Sequence, residues 1–304
     1  MKAFLALIRR EFIEHRGAFL IAPAVLVALG LGVAILAFTV GKADFRASGQ
    51  LVTFTPSIVF EVGFLGFSFG WALYLIAALF FYCADGFAAD KRNNAMLFWK
   101  SMPVSDFKVL LSKLVAALTI FPATIYLAAL ISGALLCAVV LAAALLGGGQ
   151  GWANVAFDAG LPARVLLSYV NVAGATFLAF ALGLLWYMPF MAMVGAFGAV
   201  VGRWAIPLTL LLPTLISVLQ WAIFGGSLHP FISSSWQFFE YRTAFPLVDG
   251  YITNWFGSGV PFDFTAFATD LLARVDWMQM GIGIVFSIGV IYLASEYRRR
   301  SNDN

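Results

Sequence analysis

The sequence predicts an all-α membrane protein with six transmembrane helices. Hydrophobic residues make up 62% of the 304-residue chain and charged residues only 11%, whereas soluble domains are about half apolar and about a quarter charged. Apolar runs long enough to cross the roughly 30 Å hydrocarbon core of a bilayer recur along the chain. Basic residues cluster in the connections that a six-span topology places on one side of the membrane.

The six predicted spans are residues 17–40, 59–84, 114–146, 166–202, 205–224 and 277–295. The third and fourth runs are longer than one span requires, but no polar turn divides either of them. We therefore expect one long helix in each run, kinked at Pro122 in the third and at Pro189 in the fourth. Dividing both runs gives eight spans, which is the alternative topology.

The distribution of basic residues sets the predicted orientation. With six spans and both termini in the cytoplasm, 13 Lys and Arg residues fall inside and 5 fall outside. The outside set is Lys42, Arg46, Arg164, Arg242 and Arg274. Cytoplasmic connections of membrane proteins carry an excess of basic residues, so this count favours cytoplasmic ends.

Residues 1–16 predict a helix that lies at the membrane surface. Met1, Leu5, Ile8 and Phe12 form an apolar stripe at helical spacing, and the basic residues lie elsewhere on the helix. A signal peptide is the alternative interpretation. The apolar run that follows is longer than the core of a typical signal peptide, which favours a retained interfacial helix and first span.

The hydrophilic segment 85–108, between the second and third spans, carries both charges and large apolar side chains. A solvated linker would not need residues such as Leu97 and Trp99. The pattern indicates a short helix pressed against the membrane surface or a partner. Pro103 then ends this helix, and a new helix is expected to begin at Asp106.

This segment resembles the signature that follows the second span in ABC-2-type transporter permeases. The matching residues are Asp90-Lys91-Arg92, Leu97, Ser101-Met102-Pro103-Val104-Ser105 and Lys113. The family often has a Gly-Thr step after its charged pair, where this chain has Asn94-Ala95. The hydropathy layout extends the resemblance beyond the motif.

The resemblance implies one permease domain over residues 1–304, the membrane subunit of an ABC exporter in the plasma (inner) membrane of a prokaryote. Two separate cytoplasmic ATPase subunits, which bind ATP and Mg, would pair with two permease copies, or with one copy and a homologue. Segment 85–108 would be the cytoplasmic coupling helix that docks on the ATPase. Its implied coupling residues are Asp90, Lys91, Arg92, Leu97, Trp99 and Pro103. Short external helices are implied in the aromatic-rich segment 226–276.

The resemblance also implies that the second and fifth spans line the translocation path. The polar and aromatic candidates on these spans are Ser68, Trp71, Tyr74, Thr209, Thr214, Ser217 and Gln220. Aromatic residues in this set would suit an amphipathic or lipid-like substrate. The commoner role of polar groups within a span is a helix–helix hydrogen bond.

Enzyme signatures are scarce in this sequence. It contains no G-x-x-x-x-G-K-[ST] nucleotide-binding pattern, no H-E-x-x-H and no G-x-S-x-G. Glu61 is expected at the water boundary, so no carboxylate is predicted deep in a span, where ion-driven transporters usually place one. We therefore expect no catalytic residue, no cofactor or metal in this chain and no nucleic-acid partner, with membrane lipids around it. A membrane scaffold or assembly factor, and a membrane-embedded enzyme, are the alternative functions.

The predicted topology can be tested by cysteine labelling of intact cells. A cysteine at Ser258 should react with a membrane-impermeant maleimide added outside, and a cysteine at Ser301 should react only after permeabilisation. The unaltered chain, with Cys83 and Cys137 in apolar runs, is the background control. External labelling at Ser301 would contradict the six-span topology.

Overall fold

The computed structural model describes residues 2–39, 56–92, 105–146, 159–224, 241–243, 250–256 and 258–301. All regular structure within these ranges is helical. The α-helices are α1 Lys2–Glu14, α2 Ala22–Thr39, α3 Pro56–Arg92, α4 Asp106–Leu118, α5 Ile120–Leu146, α6 Leu161–Val201, α7 Ala205–Phe224, α8 Tyr251–Trp255, α9 Phe264–Arg274 and α10 Trp277–Ser301. A π-helical turn, Gly17–Ile21, joins α1 to α2.

Five segments of the described chain are long and apolar enough to cross a membrane. They are Gly17–Leu36, Ser57–Gly86, Phe107–Ala142, Leu161–Val201 and Trp277–Tyr297. These segments coincide with the first, second, third, fourth and sixth predicted spans. The fifth predicted span forms α7, whose apolar part Ala205–Gln220 is shorter and is not among the five.

The two long apolar runs differ in their continuity. The fourth run is one helix of 41 residues, with Pro189 inside it. The third run is interrupted at Thr119, where φ is −123° and ψ is −72°. Pro122 explains this position, because a proline has no N–H for the carbonyl of Leu118 and its ring clashes with that carbonyl. The predicted proline effect is therefore present, but the break lies one turn before the proline.

Helices α3 and α6 run parallel to each other and form the centre of the bundle. Ser168 forms a hydrogen bond with Glu61, and about two turns further along both helices Thr176 forms one with Ser68. Near the other end, a Cβ atom added to Gly198 would lie 2.6 Å from the Ala84 carbonyl oxygen. Only a glycine allows the two backbones to approach this closely.

The remaining helices surround this pair. Helix α5 packs on α3, where a Cβ added to Gly133 would lie 2.5 Å from the Phe64 ring. Helix α10 packs on α6, and α1 packs on α4. Helix α2 carries many exposed apolar side chains, including Val25, Leu29 and Val33. A helix that is apolar on all sides is suited to contact with lipid.

The close approach of α3 and α6 can be tested by adding one methyl group. Gly198→Ala should lower the free energy of unfolding by about 1–3 kcal/mol, because its Cβ would meet backbone rather than a movable side chain. Gly289→Ala on α10 is the matched control, because a Cβ there meets nothing within 4 Å. Thermal unfolding in detergent measures both variants. Equal midpoints for the two variants would contradict the close approach.

Candidate functional site

The predicted coupling residues lie at the edge of the described chain. Asp90, Lys91 and Arg92 form the last turn of α3, which continues helically from the second apolar run. Leu97, Trp99 and Pro103 lie outside the described residues. The next helix begins at Asp106, as the sequence predicts. Segment 93–105 is the part of the chain between the end of α3 and the start of α4.

A buried charged group, here called the Glu11 cluster, lies between the helices that flank this segment. It consists of Glu11 on α1, His15 just after α1, Tyr82 on α3 and Lys113 on α4. The Lys113 Nζ atom is 2.8 Å from Glu11 Oε1, and both side chains are almost fully buried. The Tyr82 hydroxyl donates to Glu11 Oε2 at 2.9 Å.

Aromatic packing encloses the Glu11 cluster. His15 Nδ1 lies 4.0 Å from Glu11 Oε2, and its ring meets the Tyr82 ring edge-on at 4.7 Å between centroids. Phe19, in the π-helical turn, stacks on Phe121 of α5 at 3.9 Å. This apolar shell excludes water, so the ion pair lies in a low-dielectric environment where its geometry matters strongly.

Sequence reasoning identified Lys113 as part of the family motif but missed Glu11 and Tyr82. The predicted stripe on the first helix is only partly buried, because Ile8 is covered whereas Leu5 is 64% exposed. The buried face of the helix contains Ile8 from that stripe together with Glu11, which is three residues further on and therefore a neighbour on the helix. Glu11 could have been identified from the sequence as an acidic residue beside the apolar stripe of a basic helix.

The three path candidates on α3 form hydrogen bonds with three different parts of the chain. Ser68 accepts a hydrogen bond from Thr176 of α6 at 3.0 Å. Trp71 donates its indole N–H to Ser132 of α5 at 3.1 Å. Tyr74 donates its hydroxyl hydrogen to the carbonyl oxygen of Ala18 in the π-helical turn.

The path candidates on α7 differ from one another in burial. Thr209 is buried and donates to the carbonyl oxygen of Ala205 on its own helix at 2.8 Å. Thr214 is exposed, and Ser217 and Gln220 are half-buried. Helix α7 packs mainly on α6 and to a smaller extent on α3.

Glu61 is fully buried, which corrects the expectation that it lies at a water boundary. Ser168 of α6 donates its hydroxyl hydrogen to Oε1, and the backbone N–H of Phe262 donates to Oε2 at 3.0 Å. Phe262 itself is almost fully buried and covers this end of α3. The second candidate span therefore contains a buried carboxylate, a feature that the sequence was not expected to have and that ion-driven transporters often have.

Arg242 is a further buried charge, and its guanidinium lies against α6. Its Cζ atom is 4.4 Å from the centre of the Trp186 ring, which is a cation–π geometry. Trp186 donates its indole N–H to the Arg242 carbonyl oxygen at 2.9 Å. Neither terminal guanidinium nitrogen has a hydrogen-bond partner in the described chain.

Within the described ranges, no group of three His, Cys, Asp or Glu side chains is arranged to hold a metal ion. Cys83 and Cys137 are unpaired thiols. Comparison with known proteins found no matching family model, no matching curated protein and no matching solved structure. The candidate sites therefore rest on the chain's own geometry.

The ion pair can be tested by removing its partners singly and together. Lys113→Met should destabilise the protein by about 3–5 kcal/mol, because it leaves the Glu11 carboxylate buried without a cation. The double variant Glu11→Met/Lys113→Met should be markedly more stable than Lys113→Met, since no charge remains buried.

Thermal unfolding in detergent measures these differences. Arg10→Gln is the matched control, because Arg10 pairs with Glu14 at 3.6 Å on the exposed side of the same helix. An exposed pair contributes about 0–1 kcal/mol, so this variant should change little. Additive effects of Glu11→Met and Lys113→Met would show that the two side chains are not coupled.

Proposed function

We propose that this chain is the permease subunit of an ABC exporter and is driven by separate ATPase subunits. The observation that carries the proposal is the position of the Glu11 cluster relative to segment 93–105. Lys113 lies about 10 Å along α4 from Asp106, and Tyr82 lies about 15 Å along α3 from Arg92, at about 1.5 Å per residue. Both ends of the segment are thus tied to one buried cluster.

This arrangement would make the segment an effective point for applied force. A push on segment 93–105 moves the end of α3 and the start of α4, and both helices bind the same carboxylate of α1. Separating the buried charges is costly, so the three helices move together rather than past one another. The resemblance of the segment to a coupling helix supplies the partner, a cytoplasmic ATPase with ATP and Mg.

The proposal includes a six-span topology in which α7 is the fifth span and both termini are cytoplasmic. Helices α8 and α9 would then be the short external helices. A second permease copy or a homologue would complete the translocation path beside α7, on which Thr214 is exposed and Ser217 and Gln220 are half-buried. An apolar helix with one exposed and two half-buried polar side chains is better matched to a protein or path surface than to lipid alone.

The coupling role can be tested with Leu97→Ala/Trp99→Ala. Truncating anchor residues commonly costs about 2 kcal/mol or more, or about thirtyfold in affinity, so ATPase binding should fall by that factor. Arg92→Glu should weaken binding in a salt-dependent way. A pull-down of the ATPase in detergent and ATP turnover in liposomes measure both variants.

Arg299→Glu is the control for charge reversal, because Arg299 is an exposed basic residue at the C-terminal end of α10. It should retain ATPase binding. The purified chain without its partner should not hydrolyse ATP, since it lacks a nucleotide-binding motif. Full ATPase binding and full substrate-stimulated turnover by the double variant would refute the coupling role of the segment.

A further inference from the structure

Arg242 lies beside the middle of α6, although it belongs to the segment predicted to be external. Its carbonyl oxygen binds Trp186, and the carbonyl oxygen of Thr243 accepts from Tyr187 at 2.8 Å. At about 1.5 Å per residue, Trp186 lies about 27 Å along α6 from Ser168 and about 18 Å from Gly198. Arg242 therefore lies beside the candidate span Leu161–Val201.

The surroundings of Arg242 are shaped to hold a guanidinium. The residue is only 2% exposed, and the Trp186 ring covers it. On the α10 side, a Cβ added to Gly283 would lie 1.9 Å from Nη2 and 3.0 Å from Pro189. A Cβ atom at position 283 would thus displace the guanidinium from its place between α6 and α10.

The charge of Arg242 is only partly compensated. Asp276 is close enough to attract the guanidinium electrostatically. Oδ2 accepts from Tyr241 at 3.2 Å and Oδ1 accepts from the backbone N–H of Gln279 at 3.0 Å, but neither oxygen accepts from a terminal nitrogen of Arg242. The Trp186 ring interacts with the cation but supplies no acceptor in the guanidinium plane. The N–H groups on both terminal nitrogens are left without an acceptor among the described residues.

We propose that Arg242 and Trp186 bind the phosphate headgroup of an anionic amphiphile. A guanidinium presents parallel N–H donors that match two oxygens of a phosphate, and such charge-assisted bonds are strong in a low-dielectric site. The position of the site between two candidate membrane spans favours an amphiphile over a water-borne ion. The terminal nitrogens are buried, so the headgroup reaches them only when Tyr241–Thr243 moves away from α6 or α10. The proposed site does not depend on an ATPase partner.

The purified full chain in neutral detergent provides the test, with three probes titrated separately. Dihexanoyl phosphatidic acid should raise the midpoint of thermal unfolding in a saturable way. Dihexanoylglycerol, which lacks the phosphate, should bind at least tenfold more weakly. Equal binding of dihexanoylglycerol, or no effect of phosphatidic acid, would overturn the proposal. Inorganic phosphate is the third probe and should bind more weakly than phosphatidic acid. If it binds as tightly, the ligand is free phosphate and the proposed amphiphile is refuted.

Variants locate the binding at Arg242. Arg242→Lys keeps the charge but loses the planar fork, so the affinity for phosphatidic acid should fall at least tenfold, and Arg242→Gln should remove it. Arg274→Gln is the matched control, because Arg274 is exposed and paired with Asp270. Gly283→Ala should also weaken binding, because its methyl group would displace the guanidinium. This variant replaces the Arg242 variants in the test if those do not fold. Unchanged affinity in a folded Arg242→Gln protein would refute the site.

Discussion

The ion pair between Glu11 and Lys113 is the interaction on which the arrangement of the N-terminal helices depends. Taking two charges out of water costs about as much as their attraction returns, so the pair contributes little net stability. It does impose strict geometry, since each charge is tolerated only beside the other. Tyr82 adds a third helix to this constraint by donating to the second carboxylate oxygen. The pair is therefore more a positional restraint than a source of stability.

The restraint extends into the first predicted span through the π-helical turn. The amide of Ala22 bonds the carbonyl of Gly17, five residues back, which is the wider spacing of a π-helix. The neighbouring carbonyl of Ala18 accepts the hydroxyl hydrogen of Tyr74 on α3. Helix α1 consequently cannot shift without disturbing the start of α2 and two tyrosines of α3. The junction therefore links α1 to both α2 and α3.

Composition and periodicity were sufficient to predict that the described chain is helical, that α4 begins at Asp106 and that the third run is interrupted near Pro122, because each is a local property. The contacts that build the sites were not predictable, because they join residues far apart in sequence. Glu11 and Lys113 are 102 residues apart, and Glu61 and Phe262 are 201 apart. Hydropathy places Glu61 near the end of its helix. Hydropathy carries no information about which later segment of the chain covers that end.

The buried charges also differ in how completely they are satisfied, and this difference separates structural from functional roles. Glu11 has a cation and a hydroxyl, and Glu61 has a hydroxyl and a backbone amide, so both carboxylates are explained by the fold alone. The terminal nitrogens of Arg242 are the only buried side-chain N or O atoms without a partner in the described chain. A fold gains nothing from an unsatisfied guanidinium that leucine or methionine could replace. Its presence between two candidate membrane spans is therefore better explained by a ligand than by packing.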